Sequence, residues 1–435
     1  MRPRPCDCTP MCVRRASGWA GIRAARVPEP SFAEASVYRA ADPDGDDLAK
    51  RLTRYAVLTH DPDVRGAAPD YRRHSEPYYA AVLAELGAIA AADPATGAAL
   101  RRLADEPGAA AERRLEAMLT LLLGERPELF AVAAAALRDA DANVYVNYLR
   151  GPGHRLAAEP VGADRLWARA SDGPPPPPPP APGDADVLVV IPISDLSGTR
   201  RLRDLLACLI ALRDQAPAAA RHRVTVVEFD TEARWRELLE PLVDHYFHVA
   251  GLGAPGRSRA LNAGVRLTPG DFRALCLLDG DVLADRWFLA RNLARFDDPL
   301  LDAHLPHAEC LWLDVPSSDR LIRQRCLAGA AVPPLEQARG VLLREAPGGC
   351  LWMRPGLFDR IGGFDETGVP AGGADEDLVT RAAAAGTVAR YDDVLLRLAQ
   401  PGPSGRRGVR DRAACGVLGG ADGRGELIAP ASLRP

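Results

Sequence analysis

Seven consecutive prolines at 174–180, followed by Ala181-Pro182-Gly183, divide the chain near its middle. Proline fixes φ and donates no backbone hydrogen bond, so neither a helix nor a sheet interior continues through such a run. The run favours an extended polyproline II spacer. A ligand for a proline-reading module is its other use. With no further signal of that kind, a plain linker over 171–184 is the expectation.

The hydrophobic pattern changes across this boundary. Between 36 and 170 the chain is rich in Ala, Leu and Arg, with few β-branched runs and a helical period. Val82, Leu83, Leu86 and Ile89 fall on one helical face, and Leu115, Met118, Leu119 and Leu122 repeat the spacing. A small helical domain of unknown role is expected there. Beyond 184 short apolar runs alternate with amphipathic segments. Val187-Leu-Val-Val-Ile-Pro-Ile reads as a buried strand, 199–215 as a helix with Leu202, Leu205, Leu206 and Leu209, and Arg223-Val-Thr-Val-Val-Glu-Phe-Asp as a second strand. A helix over 232–244, a weaker strand at His245-Tyr-Phe-His-Val, a helix over 258–267 and a strand at Arg273-Ala-Leu-Cys-Leu-Leu-Asp follow. Such alternation argues for an α/β domain over 185–400 with a mostly parallel sheet. Its ligand site belongs beyond the carboxyl ends of the strands.

Composition narrows the function classes. The 435 residues carry 54 basic and 58 acidic side chains, a net charge of −4, which gives no electrostatic reason for nucleic acid as partner. No apolar run approaches the 20 or so residues of a membrane span. Lys50 is the only lysine; so strong an arginine preference, beside abundant Ala, Gly and Pro, reads as GC-rich coding and not as recognition chemistry. Nine scattered cysteines fit a reducing cytoplasm better than a disulfide framework. The opening 35 residues are Arg-rich without an apolar core of a signal peptide and are expected to be a disordered arm. Cys6, Cys8 and Cys12 on that arm have no fourth ligand nearby and are read as incidental. The Gly-, Arg- and Pro-rich stretch 401–435 is expected to be a flexible tail.

Four motifs carry chemistry in combination. In Leu277-Leu-Asp-Gly-Asp-Val a hydrophobic strand runs into Asp279 and Asp281, two hard oxygen donors separated by a glycine. Residues two apart in an extended chain point to one side, which suits Mg²⁺ or Mn²⁺ held with a diphosphate. Taken alone, Asp-Gly-Asp is also a good turn. Gly348-Gly-Cys-Leu-Trp-Met-Arg-Pro starts a strand and then a helix over 355–361, which Gly362-Gly363 stops. Gly372-Gly-Ala-Asp-Glu-Asp-Leu begins a helix over 375–385; acids favour a helix start anyway, but Asp375 gains a second reading as a base for an acceptor hydroxyl. In Arg257-Ser-Arg-Ala-Leu-Asn, Arg259 and Asn262 are three apart and share a helix face, where Arg suits phosphate and Asn a ribose or base.

The order of these motifs resembles the GT-A glycosyltransferases of family 2 type, and Gly-Gly-Phe-Asp-Glu followed by Gly-Gly-x-Asp-x-Asp is similar to the carboxyl-terminal module of galactosyltransferases. The likeness covers about 186–400 and implies a Rossmann-like mixed sheet with flanking helices, preceded by the small helical domain. It implies an inverting hexosyltransferase with a nucleotide-sugar donor, UDP-sugar favoured, and a hydroxyl acceptor. Asp281 would be the direct metal ligand, with Asp279 on ribose and metal. Glu228 and Asp230 would contact the nucleoside, Arg259 and Asn262 would line its pocket, and Gly348 and Gly349 would lie against the donor sugar. Trp352 would stack on donor or acceptor, and Asp375 would be the general base. Three positions depart from the pattern. Ala374 stands where an acid is usual, Gln400 stands where relatives place a histidine ligand, and 367–371 lacks the aromatic residue usual before the glycine pair. Gln400 is a weaker donor than histidine, which implies either a low metal affinity or a metal held mainly by the diphosphate.

Two other functions compete. A non-catalytic sugar-nucleotide or partner-binding protein derived from such an enzyme would explain Ala374 and Gln400. A nucleotidyltransferase would want a Gly-rich basic loop after the first strand, and Pro192-Ile-Ser-Asp-Leu-Ser-Gly-Thr-Arg-Arg has one Gly and no Lys.

Overall fold

The computed structural model describes residues 45–399 except 66–68, 152, 155–157, 172–184, 196–198, 217–219, 252, 347 and 368–372. The proline linker, the amino-terminal arm with its cysteines, the carboxyl-terminal tail, Gln400 and most of the 367–371 loop therefore lie outside the described residues.

The α/β class expected from the sequence is what the structure shows. Among the described residues nine strands form one mixed sheet: β1 (Val146–Arg150), β2 (Val187–Ile193), β3 (His222–Asp230), β4 (His245–Ala250), β5 (Ala274–Leu278), β6 (Ala303–Leu313), β7 (Arg339–Arg344), β8 (Cys350–Met353) and β9 (Val388–Arg397). The order is β1-β7-β6-β8-β5-β2-β3-β4, with β9 pairing in parallel to β6. Strands β5, β2, β3 and β4 are mutually parallel, whereas β8 enters antiparallel to β5. Strand β2 is buried along its whole length because both of its faces are covered. Val187, Val189 and Ile191 pack with the helix Thr199–Arg213 on one side; Leu188 and Val190 pack with the helix Gly253–Leu267 on the other.

Helices Gly45–His60, Pro69–Ala92, Pro94–Asp105, Ala109–Glu125 and Ala131–Asn143 fill the amino-terminal part. The predicted face residues Val82, Leu86, Ile89, Leu115, Leu119 and Leu122 are buried in it. This part also supplies a strand that the helical period did not announce. Strand β1 pairs antiparallel with β7, Val146 opposite Leu343. Arg339 of β7 pairs with Asp61 at 3.0 Å, Glu112 at 3.5 Å and Asp314 at 3.1 Å, which joins the helices to the sheet through a buried charge network.

One predicted helix is much shorter than its pattern. Only Arg236–Leu239 is α-helical within 232–244, followed by a 3₁₀ turn at Glu240–Leu242. Pro241 cannot sit in a helix interior. Upstream, the backbone N–H groups of Arg234 and Trp235 donate to the Glu228 carboxylate instead of entering a helix ladder.

Candidate active site

Strand β2 has β3 on one side and β5 on the other, so the connections diverge at its carboxyl end. In open α/β sheets that divergence opens a crevice. Here it is a cleft of about 250 Å³, lined among others by Ser194, Arg201, Phe229, Arg257, Gly280 and Arg397.

The acid pair forms its floor. Beyond Leu278 the chain turns through Asp279-Gly280-Asp281, and the Asp279 N–H donates to the Gly349 carbonyl at 2.9 Å. The end of β9 runs beside this turn: Leu283 N–H donates to the Leu396 carbonyl at 3.0 Å and Leu398 N–H to the Asp281 carbonyl at 2.9 Å. That ladder delivers Arg397. Its Nη2 stands 2.9 Å from Asp279 Oδ2 and 3.0 Å from Asp281 Oδ2, and its Nε donates to Asp281 Oδ2 at 3.1 Å.

Asp375 arrives on the first turn of the helix Ala374–Ala385. A Cβ built on Gly348 would meet Asp375 Oδ2 at 2.6 Å, so the missing side chain is what admits this carboxylate. Of the other acids on that turn, Asp377 pairs with Arg381 at 2.7 Å and Glu376 is exposed. Arg257 closes the group: Nη1 donates to Asp375 Oδ1 at 2.9 Å and Nη2 to Asp279 Oδ1 at 2.8 Å.

The electrostatics follow from this packing. Burial alone would raise the Asp279 carboxyl, but Arg257 and Arg397 outweigh it and hold the group at about 2. Burial raises Asp375 above the ordinary carboxylate range, with Arg257 pulling the other way. Arg257 and Arg397 lose hydration on burial, yet the acids around them keep both more firmly protonated than usual. Asp204, also on the cleft wall and 1 % exposed, is pushed up to about 7 by burial, against the pull of Arg203 and with a further push from Asp281.

Several expected ligand contacts are instead part of the fold. Asn262 is 2 % exposed and clamps Phe364, donating from Nδ2 to its carbonyl at 2.9 Å and accepting its N–H at 2.8 Å. Arg259 donates to the Ala250 carbonyl at 2.9 Å and pairs with Glu366 at 3.5 Å. Glu228 is fully buried and also accepts the Tyr246 hydroxyl, so it braces the loop after β3 and presents no oxygen to a nucleoside. Asp230 accepts the Thr231 N–H at 2.7 Å. Trp352 is a correction to the sugar-stacking role: its indole is fully buried, stacked on His304 at 5.8 Å between ring centroids, and has no face toward the cleft. The site thus unites Asp279, Asp281, Asp375 and the Gly348–Gly349 backbone. It adds Arg257, Arg397, Arg201 and Asp204, which no spacing rule had singled out.

The donor set does not fit a divalent cation. Both Asp279 oxygens face guanidinium N–H groups, and Asp281 Oδ2 receives two from Arg397. Among the described residues no group of three or more His, Cys, Asp or Glu is placed to hold a metal ion.

No family model and no curated protein matches the sequence. Among solved structures, the crystal structure of S. aureus TarS 1–349 aligns at 12 % identity with a TM-score of 0.32, over 49 % of this chain and 60 % of that one. The chain therefore spans less than two thirds of that structure. Among the described residues no helix is long and apolar enough to cross a membrane.

Proposed function

We propose that the cleft binds a nucleotide-diphosphate sugar and that Asp375 removes the proton of an acceptor hydroxyl. The hydroxyl oxygen then bonds to the anomeric carbon, the bond from that carbon to the diphosphate oxygen breaks, and attack from the opposite face inverts the centre. The observation that carries this reading is the convergence of Asp375 with Asp279 and Asp281 at the carboxyl end of the parallel strands, although Asp375 comes from a helix about a hundred residues further on. Burial raises Asp375, which makes it a stronger base than an exposed aspartate. The motif order in the sequence supports the same reading, and UDP-sugars are the first donors to try.

A donor panel incubated with hydroxyl acceptors, analysed for free nucleotide and glycosylated product, tests it. Asp375→Asn is expected to lose turnover by roughly 100-fold or more while nucleotide binding persists. Full turnover in that variant removes Asp375 from the base role.

The ion pair between Arg257 and Asp375 favours one second reading, a binding protein without transfer activity. It predicts nucleotide binding with no product from any donor.

A further inference from the structure

We propose that the guanidinium groups of Arg257 and Arg397 together take the place of a divalent cation in this cleft, so that a nucleoside diphosphate is bound, and its charge neutralised on leaving, without metal. The inference rests on the nucleotide-sugar reading above.

The geometry is that of a cation site already filled by protein. Asp279 carries a guanidinium on each oxygen, at 2.8 Å from Arg257 and 2.9 Å from Arg397. Asp281 Oδ2 takes two N–H groups from Arg397. A Mg²⁺ or Mn²⁺ ion between these carboxylates would need their oxygens as ligands at about 2 Å. It would have to displace both arginines or sit beside their like charge. Two guanidinium groups supply the same total charge of +2.

Arginine suits this exchange. Its guanidinium is permanently charged, weakly hydrated and planar, with five N–H groups, so one edge can hold a carboxylate while another meets a phosphate. Arg257 and Arg397 both line the open cleft, with side chains 26 % and 19 % exposed, and Arg201 lines the same space. Asp279 and Asp281 then act as positioning residues: they fix two arginine forks toward the diphosphate in place of an ion. As the bond to the anomeric carbon breaks, the electron pair goes to the diphosphate oxygen, and the two fixed cations stabilise it there.

Calorimetric titration of the full chain with UDP, GDP and TDP, in EDTA and again in MnCl₂, tests the inference. At least one nucleotide is expected to bind with the same affinity within twofold in both buffers. Arg397→Gln is expected to weaken that binding tenfold or more in EDTA. Arg397→Lys keeps the charge and is expected to weaken it less, and circular dichroism of both variants checks that they fold. If the Gln variant does not fold, the wild-type comparison and the Lys variant still decide. Binding that needs Mn²⁺ overturns the inference and leaves the nucleotide-sugar reading in place. So does free Mn²⁺, followed by electron paramagnetic resonance, titrating onto wild type but not onto Asp281→Ala. Unchanged binding in folded Arg397→Gln also overturns it. Binding of no nucleotide in either buffer overturns the nucleotide-sugar reading, and this inference with it.

Discussion

Arg257 and Asp375 stand 118 residues apart in sequence, and a guanidinium N–H of the first donates to a carboxylate oxygen of the second at 2.9 Å. The same guanidinium holds Asp279 at 2.8 Å. The candidate base and the acid pair therefore share one cation, and a change at either acid alters the charge that the other experiences.

If Asp375 is the base proposed above, the pH dependence of transfer follows from its state. The base must be ionised, and burial raises its pKa, so activity is gained as pH rises through that raised value. The acid limb of kcat/KM against pH is expected above the ordinary aspartate value of about 4. An acid limb at or below it, measured on wild type with a saturating acceptor, rules out Asp375 as the group responsible.

Asp204 makes stability fall with pH. Its carboxyl is held protonated in the fold up to about 7, whereas an unfolded aspartate ionises near 4. The contribution is fully present below about pH 4 and is lost as pH rises through 7, at most on the order of 4 kcal/mol. Asp204→Asn is expected to match wild type near pH 4 and to exceed it in urea unfolding at pH 8. Equal stability at both pH values would mean that Asp204 is ionised throughout.

Gly348→Ala tests the placement of Asp375 without replacing a charged residue. The new methyl would stand 2.6 Å from Asp375 Oδ2, so the carboxylate or its helix must shift. A displacement near 1 Å at a reacting group costs roughly 100-fold in rate. Turnover is expected to fall by that order with nucleotide affinity within threefold of wild type. Unchanged kcat would show that the contact is not felt in catalysis.

Asn262→Ala separates a clamp from a ligand contact. Both ends of its amide bond Phe364 in a buried setting, and leaving those backbone groups unpaired costs about 1–3 kcal/mol. A fall of that size in unfolding free energy is expected, with nucleotide affinity kept in the folded fraction. Tenfold weaker nucleotide binding at unchanged stability would return Asn262 to the pocket.

Much of the fold was legible because β2, β3, β5 and β8 are short apolar runs bounded by turn residues. Asp279, Asp281 and Asp375 were legible because the motifs that carry them follow one another in a recognisable order along the chain. The arginines were not. Arg257 and Arg259 lie two residues apart on one helix and so point to different sides. Shared spacing with Asn262 selected Arg259, but only docking against the Phe364–Glu366 segment decides which side meets the cleft. Arg397 reaches Asp281 across 116 residues through the pairing of β9 with β6, which no local pattern encodes. In a chain whose cations are nearly all arginine, composition gave neither residue any contrast.

The position of β1 sets a timetable for synthesis. Val146 pairs with Leu343, a residue made 197 positions later. At about 5–20 residues per second, roughly 10–40 seconds pass between the two leaving the ribosome. During that interval the β1 segment has no β7 to pair with, and an unpaired strand edge is the kind that pairs with neighbouring chains. The helices already made can shield it meanwhile: the Tyr79 hydroxyl donates to the Val146 carbonyl, and the Ser75 hydroxyl accepts the Tyr145 N–H at 3.1 Å. The amino-terminal helices thus hold one edge of β1 through contacts that do not depend on β7.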